Sequence, residues 1–536
     1  MSKKSFMHGA VILGAAGIII KIMGAFFRIP LGNLIGAEGM GYYQTAYPIY
    51  VLFLTLAVSG TPIAISKMVS ERVAVGHYSE AHKVFRVSFI LLFAIGLISS
   101  SICFFGAEAL VGTMGNSGAK YAMMAIAPAL LFLPMAAAYR GYFQGMQDMK
   151  PTATSQIVEQ FFRVAIGLTL ATILVKFGRE YAAAGASFGA TAGAVACILT
   201  IAYIYTRRKG YYAENIENTK DKETESTKKI LIQLLSIAVP VTIGAAIMPI
   251  MNTIDVTIVM RRLQSTGWSL EEANTMYGQL TGMAAPLINL PQVLTMAVAM
   301  SLVPAISAAY KKKDMIFLRA NAELGMRASI IIGLPCTFGL MILAEPIMLL
   351  LYPMQKESAS AAAPCLFIMA AGVLLLSTFQ TMTGVLQGIG KQTIPVRNLF
   401  VGAVAKIGIS YILIGIPSVN VMGAAIGTVA AYLIATVLNF ISIRKHIEMK
   451  FDLTITFLKP GISGLVMAVT TYLTFKLLFP LLGNNLSTLT TVIFAGVVYV
   501  VMLFVTKSIT AEEVASLPKG EKLIKLANKL RNHKNN

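Results

Sequence analysis

The sequence predicts an all-α, polytopic membrane protein. It has about 14 transmembrane helices, as two six-helix lobes in a pseudo-two-fold arrangement plus two C-terminal helices. Three observations carry this. Apolar runs of roughly 20 residues recur along the whole chain, the length that crosses a hydrocarbon core about 30 Å thick. Of 536 residues, 56% are hydrophobic and only 13% charged, whereas a soluble domain keeps about a quarter of its residues charged. The basic residues crowd alternate loops. Mean hydropathy is +0.72, and a soluble α/β core would not repeat bilayer-length runs so often.

In order, the spans read as about 9–30, 46–66, 87–106, 121–140, 157–176, 183–205, 232–259, 280–306, 328–351, 363–387, 398–416, 422–443, 457–479 and 487–506. The first follows Lys3 and Lys4 but is interrupted by Lys21 and closes on no small-x-small site. It therefore reads as a retained span rather than a cleaved leader. An even count places both termini on one face. That face collects 33 of the 44 Lys and Arg, the opposite face 6, and five (Lys21, Arg28, Arg163, Lys406, Lys476) fall inside spans. The excess of cations marks the cytoplasmic side, so both termini are expected there. This distribution explains a net charge of +20 without nucleic acid.

The polar stretch Arg207–Lys229 reads as a solvated linker. It divides the chain into a lobe at 1–206, the linker 207–229, a lobe at 230–445, two extra helices at 446–508 and a basic tail at 509–536. In the tail, Leu523, Leu526 and Leu530 lie at helical spacing among lysines, a pattern for a surface amphipathic helix or a solvated segment. The halves also resemble each other. "YRGYFQGMQDMKP" (139–151) matches "MTGVLQGIGKQTIP" (382–395), and "GASFGAT" (185–191) matches "GAAIGTV" (423–429). Both pairs fall in the same order about 240 residues apart, which predicts homologous six-span halves with cargo at their interface.

The chemistry lies in the embedded ions, each costing roughly 2.5–3.5 kcal/mol to insert. Lys21 and Arg28 are seven residues apart, two helical turns, so they share a face as a ladder about 10 Å long. A phosphate or carboxylate cargo suits such a ladder; the alternative is snorkelling to the interface, readier for Arg28 than for Lys21. Asp255 follows Pro249 and Asn252 in a seventh span expected to be distorted. It either pairs with Lys21 or binds a coupling cation, Na+ or H+; no other cofactor is expected. Glu159 and Arg163 stand at i, i+4, the spacing of an intrahelical ion pair. Lys406 faces a cavity or an ion-pair partner. The cysteines (Cys103, Cys197, Cys336, Cys365) lie singly and the histidines have no ligand spacing, so no metal site is expected. No P-loop, nucleophile elbow or H-E-x-x-H motif occurs.

The run "KIMGAFFRIPLGNLIGAEGMGYYQTAYPIY" (21–50), with its R-I-P-L and G-A-E-G-x-G-x-Y-Q-x-A-Y-P segments, resembles the start of one family. This is the stage V sporulation protein B and MurJ-like branch of the multidrug/oligosaccharidyl-lipid/polysaccharide (MOP) exporter superfamily. The resemblance implies two lobes working by alternating access, and two further helices forming a groove for a lipid tail. It implies flipping of an undecaprenyl-diphosphate-linked precursor in a bacterial plasma membrane, lipid II for MurJ-like members, in cell-wall or spore-cortex synthesis. The candidate cargo-binding residues are then Lys21, Arg28, Asp255, Lys406, Arg163, Gln44 and Asn252, and a monomer suffices. The second and eighth spans hold no Arg or Lys, where relatives resembling this chain often do, which keeps another polyprenyl-linked oligosaccharide open. A cation-coupled drug exporter is the third reading; cationic drugs want buried carboxylates, and the first six spans offer Glu159.

Overall fold

The computed structural model describes residues 3–208, 225–449 and 452–509. Among the described residues the chain is helical with no strand. Twelve helical stretches are long and apolar enough to cross a membrane. Two of them, 63 and 52 residues long, far exceed one crossing of roughly 20 residues. Each is broken at a glycine of positive φ, Gly36 at +71° and Gly483 at +66°. Counting two crossings in each recovers the fourteen spans. The tail helix expected beyond residue 509 lies outside the described residues, as does most of the linker.

The elements run α1 (Lys3–Val58), α2 (Thr61–Ala74), α3 (Tyr78–Phe105), α4 (Ala107–Thr113), α5 (Lys120–Ile126), α6 (Ala129–Gly145), α7 (Lys150–Leu174) and α8 (Arg179–Arg207). After the linker come α9 (Thr227–Ser265), α10 (Leu270–Gly278), α11 (Ala285–Lys311), α12 (Met315–Ile342), α13 (Ala344–Leu351), α14 (Lys356–Gly388), α15 (Thr393–Ile414), α16 (Met422–Ile447) and α17 (Lys459–Val505). Residues 31–45, expected between spans, are helical apart from Gly36, so the second span starts well before residue 46. A second bend at Gly60 then starts α2. The expected ninth span is cut near its end, where α12 stops at Ile342 and α13 begins.

By compactness the chain falls into two units. One comprises Met1–Pro286, Tyr352–Ala362 and Ile407–Ala424; the other Leu287–Leu351, Ala363–Lys406 and Ala425–Asn536. The repeat signature does the same work in each. A Cβ placed on Gly141 would lie 2.8 Å from Cβ of Ile65, and one on Gly145 2.6 Å from Cβ of Val69. Their counterparts Gly384 and Gly388 would meet the carbonyl of Ala299 at 2.6 Å and Cβ of Ile306 at 2.7 Å. So α6 lies on α2, and α14 on α11, at a distance that only glycine permits. The second signature also packs closely, Gly185 against Leu170 and Gly423 against Ile414, with both pairs in the first unit.

Polar residues close two corners of the first unit. At one, the bare backbones of Gly41 and Gly278 let the second arm of α1 cross α10, where a Cβ on Gly278 would lie 1.8 Å from the Ala37 carbonyl. Asn116 donates to Thr45 and to Asn274, each at 2.8 Å, and Asn274 donates to the Glu38 carbonyl at 2.8 Å. At the other, the linker returns. Buried Arg72, near the end of α2, grips the Glu225 carboxylate, and Glu80 accepts the Glu225 amide at 3.0 Å. Lys229 adds an ion pair at 3.0 Å. Arg72 and Lys229 together hold the Glu225 carboxyl below the usual carboxylate range.

Candidate functional site

The first arm of α1 carries Lys21 and Arg28 on one helical face. Lys21 is exposed and Arg28 half-buried. The arm lies along α7, in ordinary contact at Gly24 and more tightly at Gly167. A Cβ on Gly24 would sit 3.7 Å from the Gln160 amide nitrogen, and one on Gly167 would sit 3.2 Å from the Phe27 ring. Arg163 stands between those two levels. Across from it, the second arm of α1 presents Tyr43, Tyr47 and Tyr50, whose i, i+4, i+7 spacing puts them on one face. Their rings follow one another at 5.9 and 5.8 Å, and Phe27 meets Tyr43 edge-on at 6.3 Å. The Arg163 guanidinium sits 5.6 Å over the Tyr47 ring. Tyr43 is within electrostatic reach of both Arg163 and Arg28. Two of the candidate cations thus converge on one aromatic ladder.

The expected Glu159–Arg163 pair is not made. Glu159 binds Arg140 of α6 at 2.8 Å, with side chains only 20% and 13% exposed. Arg140 is further held by Ser155 at 3.3 Å and Cys197 at 2.9 Å. The local spacing loses because Arg140 brings three acceptors to one point, and a charge-assisted bond is strongest where water is scarce. Arg140, counted from sequence among the loop cations, is therefore an embedded ion. Arg163 keeps a buried Nη2 with no hydrogen-bond partner, and faces a ring instead of a carboxylate. Arg140 and the tyrosine ladder are the residues that sequence reasoning missed; the ladder was legible as a 4-3 spacing.

Gln44 is buried, and its amide donates at 2.7 Å to the carbonyl of Thr281. That carbonyl lies in the π-helical stretch Gln279–Ala284, where widened turns free carbonyls for side chains. Its nitrogen is thereby committed to joining two helices. Asn252 is exposed and Asp255 half-buried, one turn apart on α9, which stays helical through Pro240 and Pro249. Asp255 is within electrostatic reach of Tyr277. Lys406 belongs to the second unit, half-buried on α15. Lys21, Asp255 and Lys406 are each engaged by a neighbour.

The second unit contains an apolar groove of about 390 Å³ between α11, α12, α13 and both arms of α17, lined by Leu290, Cys336, Gly339, Met467, Val492 and Gly496 among others. A Cβ on Gly339 or Gly496 would meet nothing within 4 Å, so this side of the groove is open.

The family model described as polysaccharide biosynthesis protein matches residues 6–310, and the MatE model matches 281–412. The chain is 28% identical over 528 residues to stage V sporulation protein B of Bacillus subtilis, covering 97% of this chain and 98% of the relative. It is also 28% identical over 471 residues to the lipid II flippase MurJ of the same organism, covering 85% of each. Among solved structures, the inward closed conformation of lipid II flippase MurJ aligns with TM-score 0.66 at 17% identity, over 92% of this chain and 98% of that one. An inward-facing multidrug resistance MATE transporter aligns with TM-score 0.65 at 15% identity, over 80% and 94%. A multi-pass helical chain with these relatives belongs to the polysaccharide biosynthesis protein family, in the stage V sporulation protein B and MurJ-like branch of the MOP superfamily of flippases and transporters.

Proposed function

We propose that the chain flips a lipid-linked cell-wall precursor, lipid II or a close analogue, from the cytoplasmic to the outer leaflet by alternating access. The observation that carries this reading is the trio Lys21, Arg28 and Arg163, with an unanswered Arg163 donor among them. A diphosphate offers several anionic oxygens to such donors. Asn252, Asp255 and Lys406 complete the cargo and coupling residues in this reading, with Asp255 taking Na+ or H+ where a gradient drives the cycle, while Gln44, bound to the Thr281 carbonyl, braces the helices instead. The apolar groove of the second unit supports it independently, as a berth for a prenyl chain that headgroup contacts alone would leave uncovered. In this reading both termini are cytoplasmic, the lobes are 1–206 and 230–445, and a monomer works alone.

The test is reconstitution in liposomes with labelled lipid II, other polyprenyl-linked glycans and cationic dyes, with and without ion gradients. Selective flipping of diphosphate-linked glycans is expected. Movement of dyes alone would reject the proposal in favour of the drug-export reading. The cation-free second and eighth spans favour a second reading, a different polyprenyl-linked oligosaccharide, which the same panel identifies. In cells depleted of their lipid II flippase, Lys21→Ala and Arg28→Ala should each abolish rescue while still reaching the membrane. Full rescue by both would remove the cationic-cavity mechanism.

A further inference from the structure

We infer that Arg140 is a positioning residue that keeps Arg163 available to anionic cargo by holding Glu159 away from it. The inference rests on the flippase reading above, and adds to it a device for setting the charge at the aromatic ladder. Glu159 has two arginines within reach. Arg163 lies four residues on along α7, near enough for a side-chain pair by rotation of Glu159 alone. Arg140 reaches it from α6 and is the one engaged, at 2.8 Å. Ser155 and Cys197 fasten Arg140 in place, so it has little freedom to leave. Glu159 is the mobile partner of the two candidate pairs.

The consequence appears at Arg163. Its Nη2 is buried and has no acceptor, and its guanidinium rests on Tyr47. A buried charged donor left unanswered is costly, and a carboxylate one helical turn away would answer it. That it goes unanswered follows from Arg140 occupying Glu159. The two arrangements differ at that donor. With Glu159 on Arg140, Glu159 stays within electrostatic reach of Arg163 but leaves its Nη2 without an acceptor, which an incoming diphosphate oxygen can supply. With Glu159 on Arg163, that donor is answered and the anion has no reason to stay. Arg140 thus acts on the cargo through Glu159 and Arg163. The second half makes the contrast: there the equivalent of Arg140 in the repeat is Thr383, and buried Asn398 and Asn439 pair with each other at 2.9 Å. The charged version belongs to the first half.

The test measures binding of farnesyl diphosphate to the purified full-length protein by calorimetry, alongside flipping of labelled lipid II in liposomes. Arg140→Gln should weaken binding at least tenfold, because Glu159 then turns to Arg163. Adding Glu159→Gln to that variant should restore binding to within about threefold of wild type, an outcome that lost packing at Arg140 cannot produce. Glu159→Gln alone should bind as well as wild type or better. Unchanged binding in Arg140→Gln, no recovery in the double variant, or loss in Glu159→Gln alone would each overturn the inference. Should Arg140→Gln fail to fold, the double variant and Glu159→Gln still decide. If wild type binds farnesyl diphosphate but moves no lipid II, the choice of cargo falls while the charge device stands.

Discussion

Arg163 owes its position to a ring, and the ring can be varied by itself. Tyr47→Phe keeps the aromatic face under the guanidinium, so thermal stability in detergent should change by less than about 0.5 kcal/mol. Tyr47→Leu removes the face and should cost about 1–2 kcal/mol, the range for a desolvated cation–π contact. A second residue-scale expectation concerns Glu225, whose carboxyl is held low by Arg72 and then Lys229. A depressed carboxyl stabilises the fold above its unfolded value, and that contribution is lost as pH falls through the lower folded value. Opening around Glu225–Gln233, read as hydrogen exchange relative to the intrinsic amide rate at each pH, should therefore be low at neutral pH and rise as the medium is acidified below the usual carboxylate range. Arg72→Ala should raise it already at neutral pH. Equal protection in the variant and wild type would show that the clasp is idle.

At the scale of elements, glycine decides where helices stop and how closely they cross. Gly36 combines φ +71° with ψ 179°, a backbone region essentially closed to other residues. Gly36→Ala and Gly483→Ala should each cost about 1–3 kcal/mol in thermal melts. Gly14→Ala, with nothing within 4 Å of its built Cβ, should be neutral or slightly stabilising by helix propensity. Gly278→Ala should be worse than either break, since its Cβ would overlap the Ala37 carbonyl. The spans were legible because hydropathy registers where a helix must be dry. Their ends were not, because helical hydrogen bonding continues past the bilayer wherever no breaker intervenes. Residues 31–45 fall between the first two expected spans, yet Gly39 and Gly41 serve packing inside a helix, and only Gly36 turns the chain.

For the molecule as a whole, the repeat and the charge bias were both legible, the first because glycines placed for close packing tolerate no substitute. The embedded ions were legible, their partners less so. Embedded cations stand out against an apolar background, so Lys21, Arg28 and Arg163 could be named without coordinates. Their partners could not: sequence offers Glu159 an arginine on its own helix, and only the fold brings Arg140, Ser155 and Cys197 to the same point. The apolar groove was likewise invisible to periodicity, since its walls come from five helical segments. It permits a whole-molecule test. Gly339→Leu or Gly496→Leu projects a side chain into the groove from a position whose Cβ meets nothing within 4 Å. Each should leave inorganic diphosphate binding within about twofold while slowing flipping of a long-chain precursor roughly tenfold or more, an effect of about 1.4 kcal/mol. Equal flipping in both variants and wild type would free the groove from any role in transport.

The turn at Gly36 has a mechanical meaning. The arm bearing Lys21 and Arg28 and the arm bearing the tyrosines are coupled by one residue, with no slack between them. A tug on either is transmitted through a single pair of torsions to the other. Under the proposed function, a load placed on the basic side chains reaches the aromatic rail through this one pivot.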